Sequence, residues 1–280
     1  MQSGAMWCRI NDMREFVIDL ARRAGALLRA GYEQAHTVEH KSSVIDLVTE
    51  VDRASEALLV GAIREQFPDH AILAEEGNAH QGSAPYTWIV DPLDGTVNYA
   101  HGFPVFCVTL AVAREGRPQL GVTYDPLRDE LFVAEQGAGA TLNGRLLRVS
   151  SARRIQDSLL ATGFSYARAI VKDNNLAEFN RLMPRTRGVR RAGAAALDLA
   201  YVAAGRLDGY WEMYLSPWDW AAGVLLVEEA GGIVTGFDGE QWQPGQDRLV
   251  ASNGQIHTEL LGELAGARVK RQKSNVIRNA

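Results

Sequence analysis

The most informative segment of the sequence is Trp88-Ile-Val-Asp-Pro-Leu-Asp-Gly-Thr-Val-Asn98. An apolar strand ends at Asp91, and Pro92 ends the ladder because it has no N–H to donate. Asp94 follows after a turn. Both carboxylates are therefore predicted to point into one small volume at the carboxyl end of a strand, where α/β proteins bind ligands.

The pair Asp91 and Asp94 indicates a cation site. Two carboxylates this close repel each other unless a proton or a cation lies between them, and the stretch contains no Lys or Arg. Mg²⁺ takes a few carboxylate oxygens together with waters and phosphate. Gly95 and Thr96 follow at the start of a short helix, where free N–H groups bind anions. The stretch therefore predicts metal and phosphate binding, with a surface Asx-turn as the alternative.

Three further acidic residues lie where predicted elements begin or end. Glu75 follows the apolar strand 71–74, where a solvated loop is the alternative to a site role. Asp52 and Asp219 each lie at the start of a helix, where an N-cap role is the alternative. Two tryptophans flank Asp219 and favour its partial burial, and buried acids need partners. These acids add weight to a cation site.

Composition places the chain among globular proteins and excludes several classes. It has 280 residues, of which 46% are apolar and 22% charged. The clearest apolar run, 105–113, is too short to cross a membrane, and no apolar leader opens the sequence. Cys8 and Cys107 cannot form a disulfide framework, so a reducing cytoplasm is expected. No HExxH pair, Walker A loop, dinucleotide fingerprint or nucleophile elbow occurs.

Charge is unevenly distributed along the chain. Asp and Glu number 34 against 29 Lys and Arg, yet residues 266–280 carry basic side chains and no acid. The remainder is therefore strongly acidic, which disfavours nucleic-acid binding and suits a protein that holds cations. Residues 266–280 are expected to form a disordered basic tail, through which nucleic acid could still be contacted.

Hydrophobic periodicity predicts an α/β (α+β) fold in αβαβα layers. Helices are expected over 14–30 and 51–66. Strands are expected at 71–74, 86–91, 105–114, 119–125 and 130–135, the last three as an antiparallel meander. Beyond a soft boundary near residue 150, strands and helices alternate up to a last helix over 255–264. Residues 14–265 are thus expected to form one unit, after an N-terminal extension 1–13.

Three motifs occur together in this chain: Glu75-Glu-Gly77, Trp88–Asn98 and Trp218-Asp219. In this combination the sequence resembles the inositol monophosphatase family of Mg²⁺-dependent, Li⁺-sensitive phosphatases, most closely its bacterial members. The resemblance extends from about Phe16 to about Leu264. It implies the layered sandwich of the inositol monophosphatase and sugar phosphatase type, hydrolysis of a small-molecule phosphate ester, and a homodimer.

The resemblance also implies a role for each matched residue. Two to three Mg²⁺ ions would be held by four carboxylates and one backbone carbonyl: Glu75, Asp91, Leu93, Asp94 and Asp219. Catalysis would use Glu75 together with Thr96, which pairs with Asp52 to orient and deprotonate the attacking water. Substrate contacts would come from Gly95, Thr96, Gly193, Ala195, Glu212 and Asp219. Lys41 would support the metal loop.

Inositol 1-phosphate is the expected substrate. Glu212 favours a polyol leaving group, whereas Ala194 stands where inositol phosphatases often carry Thr or Ser. The same chemistry on fructose 1,6-bisphosphate, histidinol phosphate or 3′-phosphoadenosine 5′-phosphate remains open. An aspartyl-phosphate phosphatase is disfavoured, because it needs two acids two residues apart and here the spacing is three. A non-enzymatic alternative is a binding partner of the transcription machinery, with the basic tail as a candidate surface.

Overall fold

A computed structural model describes residues 3–40 and 47–278, so Lys41 lies outside the described residues. Within these ranges the helices span Ser3–Gly31 (α1), Glu50–Gln66 (α2), Thr96–Ala100 (α3), Leu176–Leu182 (α4), Ala195–Ala203 (α5), Pro217–Glu229 (α6) and His257–Arg278 (α7). The strands span Val38–His40 (β1), Leu47–Thr49 (β2), Ala71–Ala74 (β3), Tyr86–Asp94 (β4), Cys107–Arg114 (β5), Arg117–Asp125 (β6), Glu130–Glu135 (β7), Gly139–Leu142 (β8), Arg145–Leu146 (β9), Leu159–Thr162 (β10), Gly188–Arg190 (β11), Gly209–Met213 (β12), Ile233–Thr235 (β13) and Arg248–Ser252 (β14).

Two large sheets carry most of the strands. The first has the order β3-β4-β5-β6-β7-β8-β9, with β3 parallel to β4 and every later pair antiparallel. The predicted meander of β5, β6 and β7 is confirmed, and β8 and β9 extend it where the glycine-rich sequence gave little strand signal. The second sheet has the order β11-β10-β12-β14-β13, with β10 parallel to both neighbours.

The sheets and helices stack in the predicted αβαβα order. Helices α1 and α2 pack on one face of the first sheet around fully buried Leu20, Leu59 and Trp88. Helices α5 and α6 lie between the two sheets in a core that joins residues from both halves of the chain. Helices α4 and α7 cover the outer face of the second sheet. None of the described helices has the length and apolar character needed to cross a membrane.

Both terminal helices are longer than the sequence pattern indicated. Helix α1 begins at Ser3 rather than near residue 14, within the stretch expected to be an extension. The apolar stripe of α1 continues backwards at helical spacing through Met13, Ile10 and Met6, which accounts for the earlier start. Helix α7 continues past the predicted end at 264 to Arg278, through the segment expected to be disordered. That segment is rich in residues with high helix propensity. The prediction of disorder considered its positive charge and not this propensity.

Candidate active site

A bulge in β4 turns Asp91 and Asp94 to the same side of the first sheet. Asp91 pairs with Thr109 and Asp94 with Cys107, so three steps along β4 match two along β5. Residues three apart in a regular strand point to opposite faces, and the extra residue of the bulge removes that difference. The prediction that Pro92 ends the ladder is wrong, because a bulge accommodates a proline within the strand.

Asp94 connects the first sheet to the N-terminus of α5. Its carboxylate oxygens accept hydrogen bonds from the backbone N–H groups of Ala195 at 3.2 Å and Ala196 at 2.8 Å. Burial raises the pKa of Asp94 to about 7, although these two donors favour the ionised form. The predicted ligand Asp94 and the predicted substrate contact Ala195 are therefore adjacent, although 101 residues separate them in sequence.

Acidic side chains surround Asp91. Its Oδ1 accepts the Leu93 N–H at 3.0 Å, which fixes the carboxylate within the bulge. Burial raises the pKa of Asp91 well above its usual range, as do three neighbouring carboxylates: Glu75, Asp94 and Asp219. Asp219 reaches the site from the first turn of α6, where its Oδ2 accepts the Ser216 N–H at 2.6 Å. Burial also raises the pKa of Asp219, followed by the charges of Asp94 and Glu75.

Thr96 and Asp52 form a hydrogen-bonded pair beside these acids. The Thr96 hydroxyl lies 2.9 Å from Asp52 Oδ1 and 3.1 Å from the Leu93 carbonyl oxygen. Asp52 is fully buried, and its Oδ2 accepts the Thr49 N–H at 2.8 Å in a capping box at the start of α2. The N-cap alternative for Asp52 is wrong, because Thr49 is the N-cap and Asp52 is the third residue of the helix, and the other oxygen of its carboxylate accepts the Thr96 hydroxyl.

Gly95 adopts a conformation that favours glycine where the chain turns into α3. Its φ is +97°, and a Cβ there would lie 2.9 Å from the Val105 carbonyl oxygen. The following N–H groups open α3, where backbone donors lack partners within the helix. The predicted phosphate-binding amides of Gly95 and Thr96 therefore lie directly after the acidic bulge.

A cavity of about 290 Å³ opens beside the acidic cluster. It is lined by five of the predicted site residues: Asp94, Gly193, Ala195, Glu212 and Asp219. Burial raises the pKa of Glu212 to about 7, against the opposing effects of a hydrogen bond from Tyr210 and the charge of Arg191. Gly163 leaves room for this carboxyl group, since a Cβ there would collide with it. The cavity thus joins the acidic cluster to a carboxyl that can contact an alcohol.

Buried polar residues that the sequence did not single out position the site. Glu56 lies one turn after Asp52 on the buried face of α2, and its carboxylate accepts the N–H groups of Glu76 at 2.6 Å and Asn78 at 3.1 Å. It thereby fixes the loop that carries Glu75. The i, i+4 spacing from Asp52 was the available signal, but Glu56 read as an ordinary helical acid.

Ser55 and Asn98 fix two further backbone segments of the site. Ser55 donates its hydroxyl to the Pro92 carbonyl at 3.0 Å, within the bulge of β4. The Asn98 amide donates to the carbonyl oxygens of Val105 at 2.7 Å and Ala192 at 2.9 Å, and so holds the chain just before Gly193. Ser55 carried no sequence signal, and Asn98 was noted only as the end of the motif Trp88–Asn98, because the Pro92 and Ala192 carbonyls that they bond are distant along the chain.

The chemistry of the acidic cluster fits a hard divalent cation. Glu75, Asp91, Asp94 and Asp219 offer carboxylate oxygens whose negative charges raise one another's proton affinity. In the part of the chain that is described, no three acidic, His or Cys side chains are arranged closely enough to enclose an ion.

Comparison with known proteins agrees with the fold. The model of the inositol monophosphatase family matches residues 10–272. A Synechocystis sp. protein named inositol-1-monophosphatase is 46% identical over 252 residues, which cover 90% of this chain and 88% of that one. A Pseudomonas aeruginosa protein named Nus factor SuhB is 46% identical over 258 residues, at coverages of 90% and 95%. The structure of inositol monophosphatase from Anabaena has a TM-score of 0.83 at 46% identity, covering 92% and 97% of the two chains.

The layered fold, the acidic site and these matches define a phosphatase of the inositol monophosphatase type. The chain belongs to the inositol monophosphatase family. The resemblance inferred from the three sequence motifs is therefore confirmed. Family members are generally metal-dependent, which agrees with a donor set made of carboxylates.

Proposed function

We propose that the protein is a Mg²⁺-dependent phosphomonoesterase that hydrolyses inositol 1-phosphate to inositol and phosphate. The hydrogen bond between Thr96 and Asp52 carries this proposal, because it places a proton acceptor behind a hydroxyl at the edge of the acidic cluster. A hydroxyl that donates to a carboxylate keeps its lone pairs free to accept a proton from water. This arrangement is suited to orienting an attacking water.

The metal would be held by the acidic cluster and one backbone carbonyl. Two to three Mg²⁺ ions would use Glu75, Asp91, Leu93, Asp94 and Asp219. When bound, Mg²⁺ supplies positive charge that makes water easier to deprotonate and neutralises charge developing on the phosphoryl group. Li⁺ sensitivity is expected as in the family that the sequence resembles.

Residues of this chain perform the remaining steps. Thr96 orients the attacking water, and Asp52 accepts the proton that is relayed through the Thr96 hydroxyl. Glu75 contributes to catalysis as a ligand of the metal. The Gly95 and Thr96 N–H groups bind the phosphate, since they lie at the start of α3. Three residues on the cavity wall contact the alcohol portion: Gly193, Ala195 and Glu212. Asp219 would both help to hold the metal, beside Asp94 and Glu75, and contact the alcohol portion, since it also lines the cavity.

Phosphate release from a panel of esters tests the proposal. The panel contains inositol 1-phosphate, fructose 1,6-bisphosphate, histidinol phosphate and 3′-phosphoadenosine 5′-phosphate, each with and without Mg²⁺ and Li⁺. We expect Mg²⁺-dependent, Li⁺-inhibited release that is fastest from inositol 1-phosphate. Preference for another ester would keep the chemistry and change the substrate, whereas no release from any ester would contradict the phosphatase proposal.

A second candidate function is association with the transcription machinery. Its support is the printed name of several relatives, Nus factor SuhB, at 41–46% identity. The basic segment 266–280 is the candidate surface. A pull-down with the full chain should then capture a transcription protein, and deletion of 266–280 should abolish the capture; capture that is unchanged by the deletion would exclude this surface.

We further propose a cytoplasmic homodimer whose catalytic unit spans 14–265. Exposed large apolar side chains support the dimer, and among the described residues they include Phe103, Tyr166 and Ile170. Light scattering on the purified chain tests this proposal. A mass of twice 30.6 kDa is expected, and an Ile170→Glu variant should shift the mass towards that of the monomer.

A further inference from the structure

Asp198 is an acidic residue to which the catalytic proposal gives no role. It lies on α5 three residues after Ala195, and the two positions share one face of the helix. It is only 2% exposed, yet it lines the same cavity as Glu212 and Asp94. Its carboxyl group makes no hydrogen bond with the described residues around it. Burial raises the pKa of Asp198 well above its usual range, and the charges of Glu212 and Asp94 raise it further.

The carboxyl oxygens of Asp198 reach the cavity and are not sealed from it, so their hydrogen-bond partner is whatever occupies the cavity, and the position calls for a ligand or a structural explanation. The structural explanation is that an acid in the first turn of α5 stabilises the helix N-terminus. The geometry favours a ligand, because the N–H groups of Ala195 and Ala196 are already taken by Asp94, while Asp198 faces the cavity. What enters the cavity can supply the missing hydrogen bond.

We propose that Asp198 hydrogen-bonds a hydroxyl group of the alcohol portion of the substrate and, together with Glu212, selects polyhydroxy phosphate esters. This inference rests on the proposed phosphatase function and specifies its substrate class. Two carboxyl groups on one cavity wall can each bond a different hydroxyl of a ring. An ester without hydroxyl groups would leave Asp198 without a hydrogen bond and Glu212 with only its bond from Tyr210, and polar groups left unpaired in a site discriminate strongly against an analogue.

The test compares two substrates in three proteins. Steady-state kinetics are measured for the wild type, Asp198→Ala and Asp198→Asn with inositol 1-phosphate and with 4-nitrophenyl phosphate, whose leaving group has no hydroxyl substituent. For Asp198→Ala we expect kcat/KM on inositol 1-phosphate to fall about tenfold or more, mainly through KM, with less than about a twofold change on 4-nitrophenyl phosphate. Asp198→Asn should recover much of the loss, because an amide still bonds a hydroxyl.

Glu228→Gln is the matched control. Glu228 is an exposed acid on α6 whose pKa is also raised by partial desolvation, and it lines a separate cavity that shares no residue with the site. Its removal should leave both substrates unaffected. Melting temperatures of all variants separate a folding defect from a binding defect. Equal losses on both substrates in Asp198→Ala, or no loss on either, would overturn the inference and favour the helix-stabilising role.

Calorimetry with free inositol separates this inference from the proposed function. If the wild type released phosphate from neither ester, the phosphatase proposal would fail. The binding of inositol in the presence of Mg²⁺ would then still test whether Asp198 hydrogen-bonds a hydroxyl group. Binding to the wild type that is lost in Asp198→Ala would support hydroxyl recognition. Equal binding by both proteins, or none by the wild type, would contradict it.

Discussion

At the residue scale, one extra residue in β4 determines the chemistry. Asp91 and Asp94 share a side of the sheet only because the bulge offsets their odd spacing. From the sequence we predicted that the two acids converge, but also that the strand ends at Pro92. The second prediction was wrong because a local pattern does not show how a strand pairs with its neighbour. The bulge is defined by the pairing of Asp91 with Thr109 and of Asp94 with Cys107 in β5. Nothing in the sequence around Thr109 and Cys107 indicates that pairing.

Replacement of Gly95 tests the turn that follows the bulge. Gly95→Ala combines a positive φ with a close approach to the Val105 carbonyl, so we expect the free energy of unfolding to fall by about 2–3 kcal/mol. Gly116→Ala is the control, because Gly116 has a φ of +80° but no atom near the added Cβ, and about 1 kcal/mol is expected there. Denaturant unfolding measures both. Equal losses would show that the close approach to Val105 has no effect.

At the scale of the elements, helix starts position the site. The first turn of α2 supplies Asp52, that of α6 supplies Asp219, and that of α5 supplies the N–H groups that hold Asp94. Sequence reasoning placed both acids at helix starts and left the N-cap reading open. The structure shows both as members of capping boxes. The N-caps themselves are Thr49 and Ser216, so the N-cap alternative is wrong for both acids, and each acid lies three residues further on.

Glu56 tests how far α2 controls the metal loop. Glu56→Ala removes the acceptor for the Glu76 and Asn78 N–H groups, so the Glu75 loop should lose its fixed position. We expect the Mg²⁺ concentration for half-maximal activity to rise about tenfold or more, with a smaller change in kcat. Glu65→Ala, at an exposed position of the same helix, is the control. An unchanged Mg²⁺ requirement in Glu56→Ala would show that Glu56 does not position the loop that carries Glu75.

At the scale of the whole molecule, the site lies where the two halves of the chain meet. Asp94 of the first sheet is bonded to α5, and the shared core holds α5 and α6 between the sheets. The alternation of strands and helices predicted these layers correctly. The ends of α1 and α7 were missed, because capping signals and charge outweighed the continuing helical pattern in the prediction.

The acidic site should make the stability of the metal-free protein depend on pH. Burial raises the pKa of Asp94 from 3.8 to about 7 in the folded protein, so the folded state holds its proton more tightly than the unfolded chain does. The stabilisation is complete below about pH 4 and is lost as the pH rises towards 7. We therefore expect the melting temperature without metal to fall between pH 5 and pH 8.

Two comparisons check the origin of that pH dependence. Saturating Mg²⁺ should restore the melting temperature at pH 8, because bound positive charge replaces the protons. Asp94→Asn should flatten the pH dependence without metal, since it removes one of the titrating groups. An identical slope in the wild type and Asp94→Asn would show that other groups cause the change.

Phosphate release by Asp94→Asn at saturating Mg²⁺ shows whether turnover depends on the acidic cluster. The substitution keeps an oxygen that can accept the N–H of α5 but removes the negative charge that a cation needs. We predict a loss of turnover on inositol 1-phosphate of about a hundredfold or more, with a folded protein by circular dichroism. Turnover close to that of the wild type would contradict a metal-dependent phosphatase built on this acidic cluster.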